Sequence, residues 1–345
     1  MRIALDVMGG DHGCGVVVKG VKLALEADSR ITSVLLVGQE EKIRPALSEV
    51  GLTDSRVQIV HASEVLTMDD KPLEGIRKKK DSSMVRTIEL AREGKADAII
   101  SPGNTGALVA GSMKLRRLEG VERPALTCRM PSRTGDFVLL DAGANPVCEP
   151  SHLAQFAVMG NLYAREILGI AKPRVGVLSN GSEESKGNDL TREASRLCAL
   201  LDLNFIGNVE GFDLFNDGVD VVVADGFTGN VVLKTAESLG YAMMQMLKAE
   251  LTANPLRKFG AILSQGAFRS LKRRLDPEVY GGAVLLGLNG NVIKCHGSSR
   301  ERAIMHAIRI AAEEVQHGLN ATIIKQIAIA NESLAKTAPA EAPKV

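Results

Sequence analysis

The sequence predicts an α/β protein built on a mostly parallel sheet with helices on both faces. Two observations carry that reading. Short β-branched apolar runs recur at Val34–Val37, Val57–Val60, Ala98–Ile100, Val138–Leu140, Val175–Leu178 and Val221–Ala224. Segments of helical period follow several of them, as at Ala154–Leu168 and Asn188–Leu201. Continuously apolar strands that alternate with helices belong to parallel sheets buried on both sides. In such sheets ligands bind where the carboxyl ends of strands meet helix N-termini, so function is to be sought at those junctions.

The chain opens on MRIALDVMGGDHG, in which Asp6 ends the apolar run; this is a strand rather than a signal peptide. The strand ends that follow are Asp6–Gly13, Ser101–Gly106, Asp141–Asn145, Ser179–Glu183 and Asp225–Asn230, each mixing glycine with small polar side chains. The bulk numbers exclude several classes of function. A net charge of +1 gives no global attraction to nucleic acid, and 3% aromatic residues with no Trp leave no base-stacking platform. Five cysteines, an odd number without CxxC spacing, argue for reduced cytosolic thiols over a disulfide framework or zinc site. No apolar stretch approaches the ~20 residues that span a bilayer.

Gly103-Asn104-Thr105-Gly106 stands between a strand and a helix expected to begin near Ala107. Its amides could hold an anion at the helix N-terminus, or Asn104 or Thr105 could simply cap that helix. Gly226–Asn230, placed before a helix containing Lys234, repeats the construction and favours the anion. In Gly9–Gly13, His12 could protonate a leaving group, and Asp11 could orient it or cap the next helix. Lys294 and His296 alternate around Cys295 on an extended segment and so share a face, with Ser298 or Ser299 expected to cap a helix starting near Arg300. Cys295 reads as a small core residue.

Two basic features stand outside these loops. Arg77–Lys80 enters a helix beginning near Ser83. Residues 251–275 hold six Lys or Arg and no acidic residue, with Leu256, Phe259 and Leu263 on one helical face and Phe268, Leu271 and Leu275 on another. By spacing alone this is a surface helical hairpin or a dimer contact. The GxGxxG, Walker, HExxH and GxSxG motifs are absent from the chain. Catalysis must then rest on positioning and electrostatics.

The strand-end loops, taken in order, resemble the bacterial phosphate acyltransferase family of phospholipid synthesis. The strings that carry the resemblance are ALDVMGGDHG, HASEVLTMDDKPLEGIRKKKDSSM, SPGNTGALVAG, LLDAGAN, SNGSEESKGND, VVVADGFTGNVVLKTAE and YGGAVLLGLNGNVIKCHGSS, running from residue 1 to about 330. Cys14, Pro102 and Val284 depart from the family pattern, all at packing or turn positions. The resemblance implies a three-layer α/β/α sandwich related to isopropylmalate dehydrogenase, in one catalytic domain over residues 1–333. A basic helical pair would protrude at about 251–278, and 334–345 would form a disordered tail. It also implies a homodimer with no cofactor and no metal. Implied too is a peripheral membrane contact through Leu256, Phe259, Leu263, Phe268, Leu271 and Arg273, which reverses the surface-hairpin reading.

The implied reaction passes an acyl group from acyl carrier protein to inorganic phosphate, for use by a membrane glycerol-3-phosphate acyltransferase. Candidates for phosphate or substrate are Gly10, Asp11, Ser82, Ser83, Gly103, Asn104, Thr105, Asn145, Asn180 and Ser298. Lys186, Asn230 and Lys294 are candidates for the oxyanion or phosphate, and His12 or His296 for the leaving sulfur. Arg77–Lys80 and Arg116-Arg117 are expected to meet the acidic carrier protein. Phosphate acetyl- or butyryltransferase action on coenzyme A thioesters is the alternative.

Overall fold

The structure, a computed structural model, describes residues 1–276 and 282–337. Its strands are β1 (Arg2–Asp6), β2 (Ser33–Gly38), β3 (Val57–His61), β4 (Ala98–Ser101), β5 (Ala125–Pro131), β6 (Asp136–Leu140), β7 (Arg174–Leu178), β8 (Asn204–Val209), β9 (Val221–Val223), β10 (Ala283–Leu286) and β11 (Asn291–Lys294). Its helices are α1 (Cys14–Ala27), α2 (Glu40–Val50), α3 (Pro72–Lys78), α4 (Ser83–Arg92), α5 (Thr105–Ser112), α6 (Pro150–Glu166), α7 (Asp189–Cys198), α8 (Gly211–Phe215), α9 (Gly226–Leu251), α10 (Pro255–Leu263), α11 (Gln265–Arg274), α12 (Glu301–His317) and α13 (Leu319–Thr337).

Among the described residues the strands form one sheet in the order β3-β2-β1-β4-β11-β10-β5-β6-β9-β7-β8. The first five run parallel, as do the last four. Between them β10 is antiparallel to β11 and to β5, and β5 to β6, so the two parallel blocks run in opposite directions. Alternation along each strand builds two cores. Ile3, Leu5, Val34 and Leu36, with Val138, Val175 and Val221 of the second block, lie on the face covered by α1, α2, α6, α7, α12 and α13, whereas Ala4, Leu35, Val37 and Ile99 lie on the face covered by α3, α4 and α5. This is the three-layer α/β/α sandwich.

The stagger between the blocks positions the site. Lys294, last in β11, pairs with Ala283, and Val284 pairs with Thr127. Cys128, the next residue of β5, pairs with Leu139 near the end of β6. The carboxyl ends of two oppositely directed blocks therefore come level at mid-sheet.

Several boundaries differ from the sequence expectations. Strands β5, β8 and β10 are additional, because Arg, Asn, Gly and the short length of β10 dilute their apolar pattern. α5 starts at Thr105 rather than near Ala107, since the Asn104 side chain accepts the Ala107 amide at 3.0 Å. Gly226–Asn230 is the first turn of α9, not a loop before it, because the Asp225 carboxylate caps Phe227 and Thr228. Gly13, not Asp11, is the N-cap of α1. Arg300, not Ser298 or Ser299, is the N-cap of α12. The last helix continues to Thr337, past the expected tail boundary at 334, while 338–345 lie outside the described residues. So do 277 and 278 of the helical-pair span, and Tyr280 and Gly281 of the last matching string.

Candidate active site

Three adjacent strands of the first block end in one row. Leu5 pairs with Ile100 and Ser101 with Lys294, so Asp6, Ser101 and Lys294 close β1, β4 and β11 side by side. Row partners in a sheet share a face, here that of Ala4, Ile99 and Val292. Asp6 is 1% exposed. Its carboxylate accepts the Ser101 hydroxyl at 2.7 Å and the Met8 amide at 3.2 Å, and Ser83 of α4 stands nearby. Burial pushes its carboxyl above the usual range, opposed by these bonds and by the Lys294 charge.

The loops beyond the row interlock through glycines. A Cβ on Gly9 would stand 2.6 Å from the Gly103 Cα and 2.8 Å from Asp6 Oδ2, and one on Gly297 would stand 3.0 Å from the Asp11 carboxylate. Only glycine lets these backbones approach so closely. The Asp11 amide donates to the Gly297 carbonyl at 2.8 Å, tying the β1 and β11 loops, and the Gly103 amide donates to the Ser101 hydroxyl at 3.1 Å. Gly10 lies against Pro102 and the Gly297 carbonyl.

Lys294 is 8% exposed, and its ammonium donates to the Cys295 carbonyl. Burial pushes its pKa down to about 8; nearby Lys234 of α9 pushes the same way, while Asp6 and Asp11 oppose. The strand ends at Lys294, which is buried, and His296 lies beyond it and is exposed; both side chains sense Lys234 and Asp11. His296 Nδ1 receives the Ser298 amide at 3.2 Å and lies 2.7 Å from the Ser298 hydroxyl. An N–H can only donate, so Nδ1 is unprotonated and the imidazole proton sits on Nε2. Partial desolvation of the ring first, and the Lys234 charge second, hold the His296 pKa below its ordinary value. Lys294 and Lys234, the latter also paired with Glu237, thus bring positive charge to these loops.

The other first-block candidates have defined surroundings. Asn104 is an N-cap, and its amide also donates to the Met68 carbonyl at 3.1 Å. Thr105 opens α5, and His12 and Asp11 are exposed. Ser82 is fully buried, with no hydrogen-bond partner for its hydroxyl among the described residues. The segment between β3 and α4 lies against the loops, with Met68 touching Gly297 and Pro72 touching Gly106. At the end of α3, Lys78 pairs with Glu74 and Lys79 with Asp70, while Arg77 and Lys80 are exposed. Arg116 and Arg117 follow the far end of α5, away from Asn104.

The remaining candidates stand on the carboxyl edge of the second block. Asn145 donates to the Pro124 carbonyl at 2.6 Å and to Asp141 at 2.8 Å. Asn180 accepts the Gly187 amide at 2.8 Å, Lys186 packs on Gly181, and Asn230 lies against Gly143. At their centre Asp141 is fully buried and accepts the amides of Leu126, Gly143, Ala144 and Asn145 at 2.6–3.0 Å. The candidate set is thus divided between two edges, with α9 passing from one to the other. Asp6, Ser101 and Asp141 were not among the expected site residues, whereas Lys234 had entered only as part of the helix after Gly226–Asn230. The two aspartates had a signal: each is a carboxylate ending a buried apolar run.

A buried lysine in a row of strand ends, overlooked by interlocked glycine loops, defines an α/β enzyme that handles an anion. The chain matches the fatty acid synthesis protein family over residues 1–322. The phosphate acyltransferase of Pelotomaculum thermopropionicum is 48% identical over 322 residues, spanning 92% of this chain and 93% of that one. The phosphate acyltransferase of Desulfitobacterium hafniense is 47% identical over 329 residues, spanning 95% and 98%. The chain therefore belongs to the phosphate acyltransferase family, and it is an acyltransferase. A phosphotransacetylase from Streptococcus pyogenes shares the fold with a TM-score of 0.63, at 20% identity over 92% of this chain and 94% of that one.

Proposed function

We propose that the enzyme passes a fatty acyl group from the thioester of acyl carrier protein to inorganic phosphate, giving acyl phosphate and the free carrier thiol. The observation that carries this reading is the buried Lys294 ammonium, reinforced by Lys234 and set in the row of Asp6 and Ser101 beside the Gly9–Gly10 and Gly103 loops. A phosphate oxygen attacks the thioester carbonyl, the C–O bond forms, and the C–S bond breaks as the tetrahedral oxyanion collapses. Lys294 in its charged form and the loop amides of Gly10 and Thr105 hold the phosphate. Alignment of the two reactants can supply roughly 7–11 kcal/mol at best. His296, neutral with a proton on Nε2, donates a hydrogen bond to the oxyanion rather than acting as a cationic acid. His12 faces the departing sulfur. Lys186, Asn180 and Asn230, across the level where the blocks meet, take the thioester side.

Arg77 and Lys80 border the loops and suit an acidic carrier protein. On α10, Leu256 and Phe259 are 80% and 61% exposed, beside Leu263 and the basic end of α11 at Arg273. Such a surface supports reversible contact with an anionic membrane, where a glycerol-3-phosphate acyltransferase would use the product. Phe268 is half-buried and Leu271 exposed. The apolar face of α9 beyond Glu237, with exposed Leu239, Met243 and Met246, supports a homodimer. Among the described residues no helix is long and apolar enough to cross a membrane.

The test is incubation with long-chain acyl carrier protein and phosphate, with hydroxylamine trapping of acyl phosphate and a thiol assay in parallel. Equimolar acyl phosphate and thiol are expected. Turnover of coenzyme A thioesters alone would transfer the activity to the coenzyme A class.

A further inference from the structure

Asp6 has no direct part in the proposed chemistry, yet its carboxyl is buried among the loops of the first block. It is fully buried at the end of β1 and receives the Ser101 hydroxyl of β4 at 2.7 Å, while the nearby Ser83 of α4 also favours its charged form. Its Oδ2 also lies within 3.2 Å of where a Cβ would stand on Gly9 or Gly103, so the carboxylate fills the space between those two turns. Through Ser101, whose hydroxyl also accepts the Gly103 amide, it sets the conformation of the loop that carries Asn104. In the same row and on the same face lies Lys294, two strands away.

We infer that Asp6 is a positioning residue: it braces the β1 and β4 loops through the Ser101 hydroxyl and, from the same row and face two strands away, acts through space on Lys294 to keep that side chain a cation. The inference rests on the proposed phosphate site and names what keeps it charged. The charged and titratable groups that face Lys294 are Asp6 and Asp11, which favour its ammonium, Lys234, which opposes it, and the Cys295 thiol. Around His296, Glu237 and Asp11 oppose the effect of Lys234. Asp11 is exposed, so solvent screens it, whereas Asp6 is not screened. Asp6 is therefore the carboxylate whose removal Lys294 should feel most.

The experiment measures binding of inorganic phosphate by calorimetry between pH 6 and 10. In the wild-type protein affinity should fall as pH rises through about 8, where Lys294 loses its proton. Asp6→Asn keeps the shape and removes the charge, so the fall should move to lower pH by about one unit. Between the two limbs this reads as roughly a 10-fold loss of affinity, which shrinks again at pH 6. Lys294→Arg should abolish the fall over the whole range. A uniform loss at every pH in Asp6→Asn, with the limb unmoved, would reduce Asp6 to a structural brace and overturn the inference. Persistence of the limb in Lys294→Arg would overturn it too, as would absence of phosphate binding by the folded wild type. Asp6→Ser provides the same measurement if Asp6→Asn fails to fold; loss of folding in both, seen by circular dichroism, overturns the positioning role. A shifted binding limb in a protein that makes no acyl phosphate from either thioester would leave the Asp6 inference standing and sink only the proposed reaction.

Discussion

Asp6 and Asp141 each close a buried strand at a carboxyl edge of the sheet, one in each parallel block, and they are held in opposite ways. Asp141 receives only N–H donors: four backbone amides and the Asn145 side chain. Asp6 receives one amide and one hydroxyl, and it shares its row with a buried lysine. Fixed amides that saturate a carboxylate make a rigid corner. Hydroxyls can rotate, and a lysine whose charge is opposed by burial responds to any anion that arrives. The same strand-end residue thus serves as architecture in one block and as the support of a site in the other.

The largest effect expected from this contrast is on stability. Asp141→Ala leaves buried amides without an acceptor, and chemical denaturation should show a loss on the order of 3–5 kcal/mol. Asp6→Asn, which retains hydrogen-bonding capacity, should lose much less. Equal losses would erase the distinction between the two corners.

Lys294→Met should separate activity from stability. Acyl phosphate formation should drop about 100- to 1,000-fold at saturating thioester, while the folded state gains. The sign follows from the direction of the shift. Folding depresses the lysine pKa from 10.5 to about 8, so the charged form is penalised in the fold by roughly 3 kcal/mol at pH 7. From pH 8 to 10.5 the unfolded chain keeps its proton longer, so wild-type stability rises and the advantage of Lys294→Met disappears. Denaturation curves at pH 7 and pH 10 test this, and an advantage independent of pH would place the lysine charge elsewhere.

Glycine substitutions sharpen the comparison at smaller scale. A Cβ on Gly229 would stand 2.0 Å from the Asp141 carbonyl, a backbone atom, whereas one on Gly103 first meets the Met84 terminal methyl at 2.5 Å. A methionine end can move and a backbone carbonyl cannot, so Gly229→Ala should lower stability by about 3 kcal/mol and Gly103→Ala by about 1. The smallest effect is kinetic. Lys186→Ala should raise the KM for the thioester roughly 3- to 10-fold and leave that for phosphate unchanged. A selective rise in the phosphate KM would move the anion site to the second block.

Amino-acid pattern alone was sufficient for the layer architecture, because most strands are apolar runs of the right length and each half of the sheet repeats the same strand–helix alternation. It also located the glycine-rich strand ends, since tight turns need glycine wherever they occur. It could not recover β5 or β8, whose Arg, Asn and Gly break the apolar signal, nor place Gly226–Asn230 inside a helix whose start is set by the Asp225 cap. Only the tertiary structure divided the candidate residues between two edges, because the reversal between β10 and β5 has no local signature. Only it showed Lys294 buried and His296 exposed, two residues apart, since burial is decided by what packs against a strand end. And only it distinguished Asp6 from Asp141: both end apolar runs in glycine-rich loops, but Asp141 is saturated mostly by the turn that follows it, whereas Ser101 and Lys294 reach Asp6 from segments distant in the chain.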